Sequence, residues 1–200
     1  MQSDATPTNH LHPLRDGLVD AYTELLRQAE RRPLLREGLE KTPVRAAEAW
    51  RELMSGYGEP PELTTFCASP GARDQIVLPG RLPFHSVCEH HLLPFMGTAD
   101  FAYLPGERLL GLSKFARLLD HYSRRLQTQE NIGAQLADHL EDALAPRGLM
   151  IVLRAEHLCM SMRGVHASGH MTVTSVVRGA FKVKPEARAE ALSLLGLDHR

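Results

Sequence analysis

Two short clusters of metal-ligand residues, far apart along the chain, constrain this sequence more than any other feature: Cys88-Glu-His-His91 and His157-Leu-Cys159. The only cysteines are Cys67, Cys88 and Cys159, which excludes a disulfide framework; the odd count argues against an oxidising compartment. Cys88 and His91 stand three apart, a spacing at which one turn aims a thiolate and an imidazole at the same ion. Adjacent side chains diverge, so His90 and His91 are not expected to share it. His157 and Cys159 are two apart, and along a strand they would share a face. Two such pairs can close a four-ligand cage that staples strand ends. Alternatively, three ligands hold zinc and leave a fourth position open. Spacing alone leaves both arrangements standing.

Hydrophobic periodicity sets the frame around these clusters. Residues 1–13 offer no periodic apolar face and read as a disordered tail. Leu14, Leu18, Tyr22, Leu25 and Ala29 fall at helical spacing, and Arg31-Arg32-Pro33 ends that helix. Thr42-Pro43 opens a second helix with Ala46, Ala47, Trp50 and Leu53 on its stripe. A loop is expected over 57–73, followed by extended segments over 75–78 and 81–87 that Pro79 and Pro83 confine to an edge or an irregular strand. Thr98–Leu104 alternates as a strand, with Ala99, Phe101 and Tyr103 on one face and Thr98 and Asp100 opposite. Ser113 is expected to cap a third helix. Ile132, Leu136, Leu140 and Leu144 mark a longer fourth one that Pro146 and Gly148 stop. Strands over 149–154 and 171–178 follow, then a short helix opened by Pro185.

This order predicts an α+β fold, an antiparallel β-sheet with helices on one face and an N-terminal helical extension. The expected partition is a tail over 1–13, a helical region over 14–73 and a catalytic domain over 74–200. Twenty-three basic residues against 24 acidic ones give a net charge of −1, so no broad basic field exists to hold nucleic acid. No apolar stretch is long enough to cross a bilayer and no secretory leader precedes the helices, so a soluble cytoplasmic protein is expected.

Further groups surround the clusters. Glu89 and His90 sit inside the first, where a purely structural site needs no additional titratable groups. Gly111-Leu-Ser-Lys114 brings a hydroxyl, an ammonium and backbone N–H groups to one helix start, a cradle for an anion. Neither common glycine-rich nucleotide loop is present, so any phosphate would rely on scattered Lys and Arg side chains.

Four motifs occur together and in order: Cys88-Glu-His-His91, Gly111-Leu-Ser-Lys114, Arg125-Leu-Gln-Thr-Gln-Glu130 and His157-Leu-Cys-Met-Ser-Met-Arg-Gly164. With Gly38-Leu-Glu-Lys-Thr-Pro-Val-Arg45 upstream, they make the chain resemble the GTP cyclohydrolase I family from about residue 38 to Phe181. The resemblance implies a tunnelling fold in which sheets from several subunits close a barrel, usually in a homodecamer with active sites between subunits. It implies zinc on Cys88, His91 and Cys159, with His157 free beside the metal. The implied reaction opens the guanine imidazole ring of GTP, releases formate and recloses the atoms as 7,8-dihydroneopterin triphosphate.

Carbon 8 of guanine is a poor electrophile, so this chemistry needs a strong nucleophile and a proton on N7. By the resemblance, water activated by zinc attacks C8, His90 protonates N7 and His157 assists proton transfer. Glu130 resembles the guanine anchor, and the resemblance implies that Gln129 beside it also contacts the substrate. Ser113, Lys114, Arg117, Arg163 and Arg45 match the contacts to ribose and triphosphate. Glu48 stands where the family often has a lysine, and Asn131-Ile-Gly133 replaces the commoner Arg-Leu-Thr. A relative that binds GTP without releasing formate, and a zinc-stapled interaction domain, are the rival readings.

Overall fold

The computed structural model describes residues 16–197. The expected tail over 1–13 and the helix start at Leu14 lie outside them. The chain divides into two compact units, one ending at Glu52 and the other beginning at Leu53. The smaller unit contains α1 (Gly17–Glu30) and most of α2 (Thr42–Leu53). The Asp16 carboxylate caps α1 by accepting from the Leu18 amide at 3.2 Å, and Arg31 ends the helix in the left-handed region.

In chain order, the larger unit opens with β1 (Thr65–Cys67), β2 (Val77–Cys88), β3 (Pro94–Leu104) and β4 (Arg108–Leu110). It continues with α3 (Leu112–Ser123), β5 (Leu126–Gln127), α4 (Gln129–Leu144), β6 (Gly148–His157) and the single turn α5 (Leu158–Ser161). It closes with β7 (Met171–Gly179), α6 (Ala180–Val183) and α7 (Pro185–Leu194). Five strands form one sheet in the order β5-β2-β3-β6-β7, antiparallel except for the short β2–β5 pairing.

Period-two alternation sorts the sheet residues onto two faces. Phe101 and Tyr103 of β3 and Leu149, Ile151 and Leu153 of β6 pack against Phe115, Leu118 and Leu119 of α3. Ile132, Leu136, Leu140 and Leu144 of α4 complete this core, and all four are buried, as their four-residue spacing predicts. Each such side chain contributes roughly 1.5–3 kcal/mol by leaving water.

The alternate residues Ala102, Leu104, Met150 and Val152 pack instead with Phe181 of α6 and Ala191 of α7. Helices therefore cover parts of both faces, which corrects the expectation of one covered face. Asp100 also lies on this second face yet is buried. It is sustained there by two guanidiniums, Arg81 Nε at 2.9 Å and Arg154 Nη2 at 3.4 Å.

Three local expectations need revision. The two extended segments around Pro79 are one strand, β2, whose register shifts between Val77 and Gly80. It tolerates proline because only Val87 and Cys88 pair on its other side, with β5. The stretch over 57–73 is not all loop, since β1 pairs antiparallel with β4. Ser113 lies inside α3, and Gly111 is the N-cap, its carbonyl accepting from the Lys114 amide at 2.8 Å.

Gly97 fixes the closest approach in the sheet. A Cβ built on it would stand 1.8 Å from the Arg154 carbonyl oxygen and 2.6 Å from Ala155 Cα, both backbone atoms that cannot step aside. Gly97→Ala is expected to destabilise the protein by about 3 kcal/mol or more, read as a large fall in Tm. Gly71→Ala, with nothing within 4 Å of the added carbon, should stay within about 0.5 kcal/mol of the parent.

Candidate metal centre and its histidine neighbour

Cys88 ends β2 and leads into the turn that returns as β3. Its amide donates to the Leu93 carbonyl and its carbonyl accepts from the Leu92 amide, both at 2.9 Å. Leu92 adopts φ 55°, the left-handed conformation this tight reversal requires. The Glu89 amide donates across to the Gln127 carbonyl at 3.1 Å, tying the turn to β5. Cys88 is therefore buried, while Glu89, His90 and His91 face outward.

The second cluster arrives from β6. His157 is the last residue of that strand and Cys159 lies in α5, so the two do not share a strand face as the sequence predicts. The helical turn replaces the strand after His157 and brings the Cys159 thiol back toward Cys88. Ligand atoms of Cys88, His91 and Cys159 all lie within 4.8 Å of one another. His157 is not part of this group, which favours the three-ligand arrangement over the cage.

Two sulfurs and one imidazole nitrogen are the donor set zinc prefers, and ligand atoms on one such ion stand roughly 3.5–4 Å apart. The 4.0 Å from Cys88 Sγ to His91 Nδ1 fits that geometry. His90 Nδ1 approaches Cys88 Sγ as closely, at 3.9 Å, but only His91 is also close to Cys159. The His90 ring is largely exposed, with its Nε2 3.7 Å from Glu89 Oε1. Burial pushes the Cys159 thiol pKa up, and neighbouring Cys88 adds to the rise. A divalent cation reverses both effects by stabilising the thiolates.

His157 is held on two sides. Its ring stacks on Phe95 with centroids 4.5 Å apart and planes 4° from parallel. Its Nε2 meets Gln129 Oε1 at 2.9 Å. Burial holds its pKa below the usual histidine value, against the opposing pull of the Glu130 carboxylate; His170 lowers it further.

The substrate contacts implied by the resemblance are more dispersed. Thr128 caps α4 by accepting from the Asn131 amide, so Gln129 and Glu130 open the helix beside His157. Glu130 is exposed and Gln129 is buried. Ser113 is exposed, and Lys114 Nζ donates to the Glu62 carbonyl at 2.8 Å. Arg117 lines a separate recess of about 200 Å³ with Ser55, Glu59 and His121. Arg163 is exposed just beyond α5. Among the described residues, no hydrogen bond or ion pair joins these four side chains to the cysteine-histidine group. Arg45 is exposed on α2 in the smaller unit.

Sequence reasoning missed Phe95 as the platform for His157. The signal lies in strand register, because Phe95 stands directly opposite His157 and Ser86 directly opposite Phe95.

The chain is similar to known proteins along most of its length. A family profile described as GTP cyclohydrolase I matches residues 18–196. The GTP cyclohydrolase 1 of Deinococcus radiodurans is 47% identical over 79% of this chain and 74% of its own length. That of Sinorhizobium fredii is 45% identical over 92% of this chain and 90% of its own. Among solved structures, the apo form of the archaeosine synthase QueF-Like aligns with a TM-score of 0.45 and 17% identity, over 56% of this chain and 97% of that one. With the family profile spanning nearly the whole chain and relatives this similar, the chain belongs to the GTP cyclohydrolase I family of enzymes.

Proposed function

We propose that this enzyme converts GTP to 7,8-dihydroneopterin triphosphate with release of formate, the first step toward folate, pterin or 7-deazapurine compounds. The observation that carries the reading is the Cys88–His91–Cys159 group with His157 beside it but outside it. Cys88, His91 and Cys159 would hold zinc, which would supply Lewis acidity of the kind that lowers the pKa of water toward about 7 in favourable sites.

The chain's own side chains do the rest. His90, exposed next to Cys88, delivers a proton to guanine N7 and makes C8 a better electrophile. His157 relays protons at the same carbon from its platform on Phe95. Glu130 accepts from guanine N1–H and the 2-amino group. Adenine presents a lone pair at N1 and no 2-amino donor, so an unpaired carboxylate disfavours it by roughly 10⁴-fold. Ser113, Lys114, Arg117, Arg163 and Arg45 hold the ribose and triphosphate. On a chain of net charge −1, this local set must supply the attraction.

The dispersion of those groups supports active sites completed between subunits of a ring, a homodecamer by the family resemblance. Among the described residues no strand pairs with the outer edge of β7, and Met171 and Val173 are exposed apolar residues on that strand. Such an edge needs a covering partner.

Zinc-loaded protein incubated with GTP is expected to release one formate per GTP, with product mass matching 7,8-dihydroneopterin triphosphate. GTP binding without formate would overturn the reading in favour of a silent relative. His90→Ala should keep zinc and GTP binding while turnover falls by about 10² or more; unchanged turnover would remove its acid role. Metal analysis separates ligand from neighbour: Cys159→Ser should lose most zinc and His157→Ala should retain it. Stoichiometric zinc loss in the latter would restore the four-ligand cage.

A further inference from the structure

Gln129 stands at the first position of α4 and is 1% exposed. Its amide nitrogen, which has two hydrogens to donate, lies within hydrogen-bond distance of three oxygens: the Leu153 carbonyl at 3.0 Å, the Thr172 carbonyl at 3.1 Å and Thr174 Oγ1 at 3.0 Å. Carbonyl oxygens only accept, so the amide cannot be turned end for end without setting oxygen against oxygen. Its Oε1 is thereby fixed toward His157 Nε2, at 2.9 Å. An amide oxygen also only accepts, so the hydrogen in that contact belongs to His157 Nε2.

The ring has no easy alternative. Rotating it by half a turn would place a carbon against Gln129 Oε1. The Phe95 face, 4.5 Å away and nearly parallel, holds the ring plane. A neutral imidazole with its hydrogen on Nε2 carries its lone pair on Nδ1.

We infer that Gln129 is a positioning residue that locks neutral His157 into the Nε2–H tautomer, leaving the lone pair on Nδ1. This differs from the substrate contact that the family resemblance implies for Gln129, because both ends of its amide are already engaged inside the chain. The inference rests on the proposed role of His157 in proton transfer. The structural part, the tautomer, stands on the hydrogen-bond chain alone.

The test uses zinc-loaded enzyme labelled with ¹⁵N-histidine, with the His157 resonances identified by their loss in His157→Asn. The wild-type protein should show neutral His157 protonated at Nε2 and bare at Nδ1; a hydrogen on Nδ1 would overturn the inference. In Gln129→Met, both tautomers should appear, kcat should fall by about 10–100-fold, and zinc content and KM for GTP should stay within twofold. A raised KM with unchanged kcat would overturn the inference and return Gln129 to the substrate. Thr174→Val removes one of the three acceptors without freeing the amide, and should leave the tautomer and kcat unaltered; loss of the tautomer there would also count against the inference. Should Gln129→Met fail to fold, the wild-type spectrum decides alone. Absence of formate release by the wild type would overturn the proposed activity while leaving the tautomer measurement able to succeed or fail by itself.

Discussion

The register between β3 and β6 is the constraint on which the centre depends. Phe95 stands opposite His157, and Ser86 on β2 stands opposite Phe95, so the three residues form one row on the face packed by α3 and α4. A slip of β6 by one residue would turn His157, with the rest of that strand's side chains, to the other face. It would also separate the β2–β3 turn, which carries Cys88 and His91, from the end of β6, which feeds into Cys159. Gly97 holds this register at close quarters, because any side chain there would strike the Arg154 carbonyl. Gly133 plays a similar part between layers: an added Cβ would stand 3.1 Å from Val176, so its absence lets α4 sit low on the sheet. That seating allows Gln129 to reach carbonyls on both β6 and β7.

Much of this was legible before any coordinates. The four-residue stripe of α4 and the alternation of β3 each bury a continuous apolar face, and such patterns survive because solvent exclusion is their direct cause. The two metal-ligand clusters were legible as chemistry, and Cys88, His91 and Cys159 do come together. The elements that escaped are short or depend on distant partners. Three-residue strands such as β1 and β4 carry no measurable period; they exist because Thr65–Cys67 and Arg108–Leu110 find each other. The turn α5 is likewise too short to announce itself, so the two-residue step from His157 to Cys159 reads as strand when it is the junction of strand and helix.

Residue type was a poorer guide to role than to location. Asp100 reads as a solvent-facing residue of an alternating strand, yet it is buried between two guanidiniums, a circumstance created by Arg81 on β2 and Arg154 on β6. Gln129 reads as the neighbour of a guanine anchor, yet its side chain turns inward while Glu130 remains exposed. Consecutive residues at a helix start point in directions about 100° apart, so one can face a ligand while the next completes the protein interior. Motif adjacency cannot separate those cases, whereas the arrangement of acceptors does.

The two halves of the centre are built on supports of different kinds. The candidate metal-ligand half comes from a reversal and a single helical turn; Cys88 is buried and Cys159 half-buried, and burial raises the pKa of the Cys159 thiol, a cost that a cation would offset. The histidine half is built into the sheet, with an aromatic plane on one side and an amide anchored by three acceptors at its edge. The contacts that orient the His157 ring run to Phe95 on β3 and Gln129 on α4, and not to the candidate metal group. The proposed proton relay at His157 must keep its direction while the group beside it changes charge. Its place at the end of a sheet strand, with the candidate metal ligands on a turn and a single helical turn, suits that requirement.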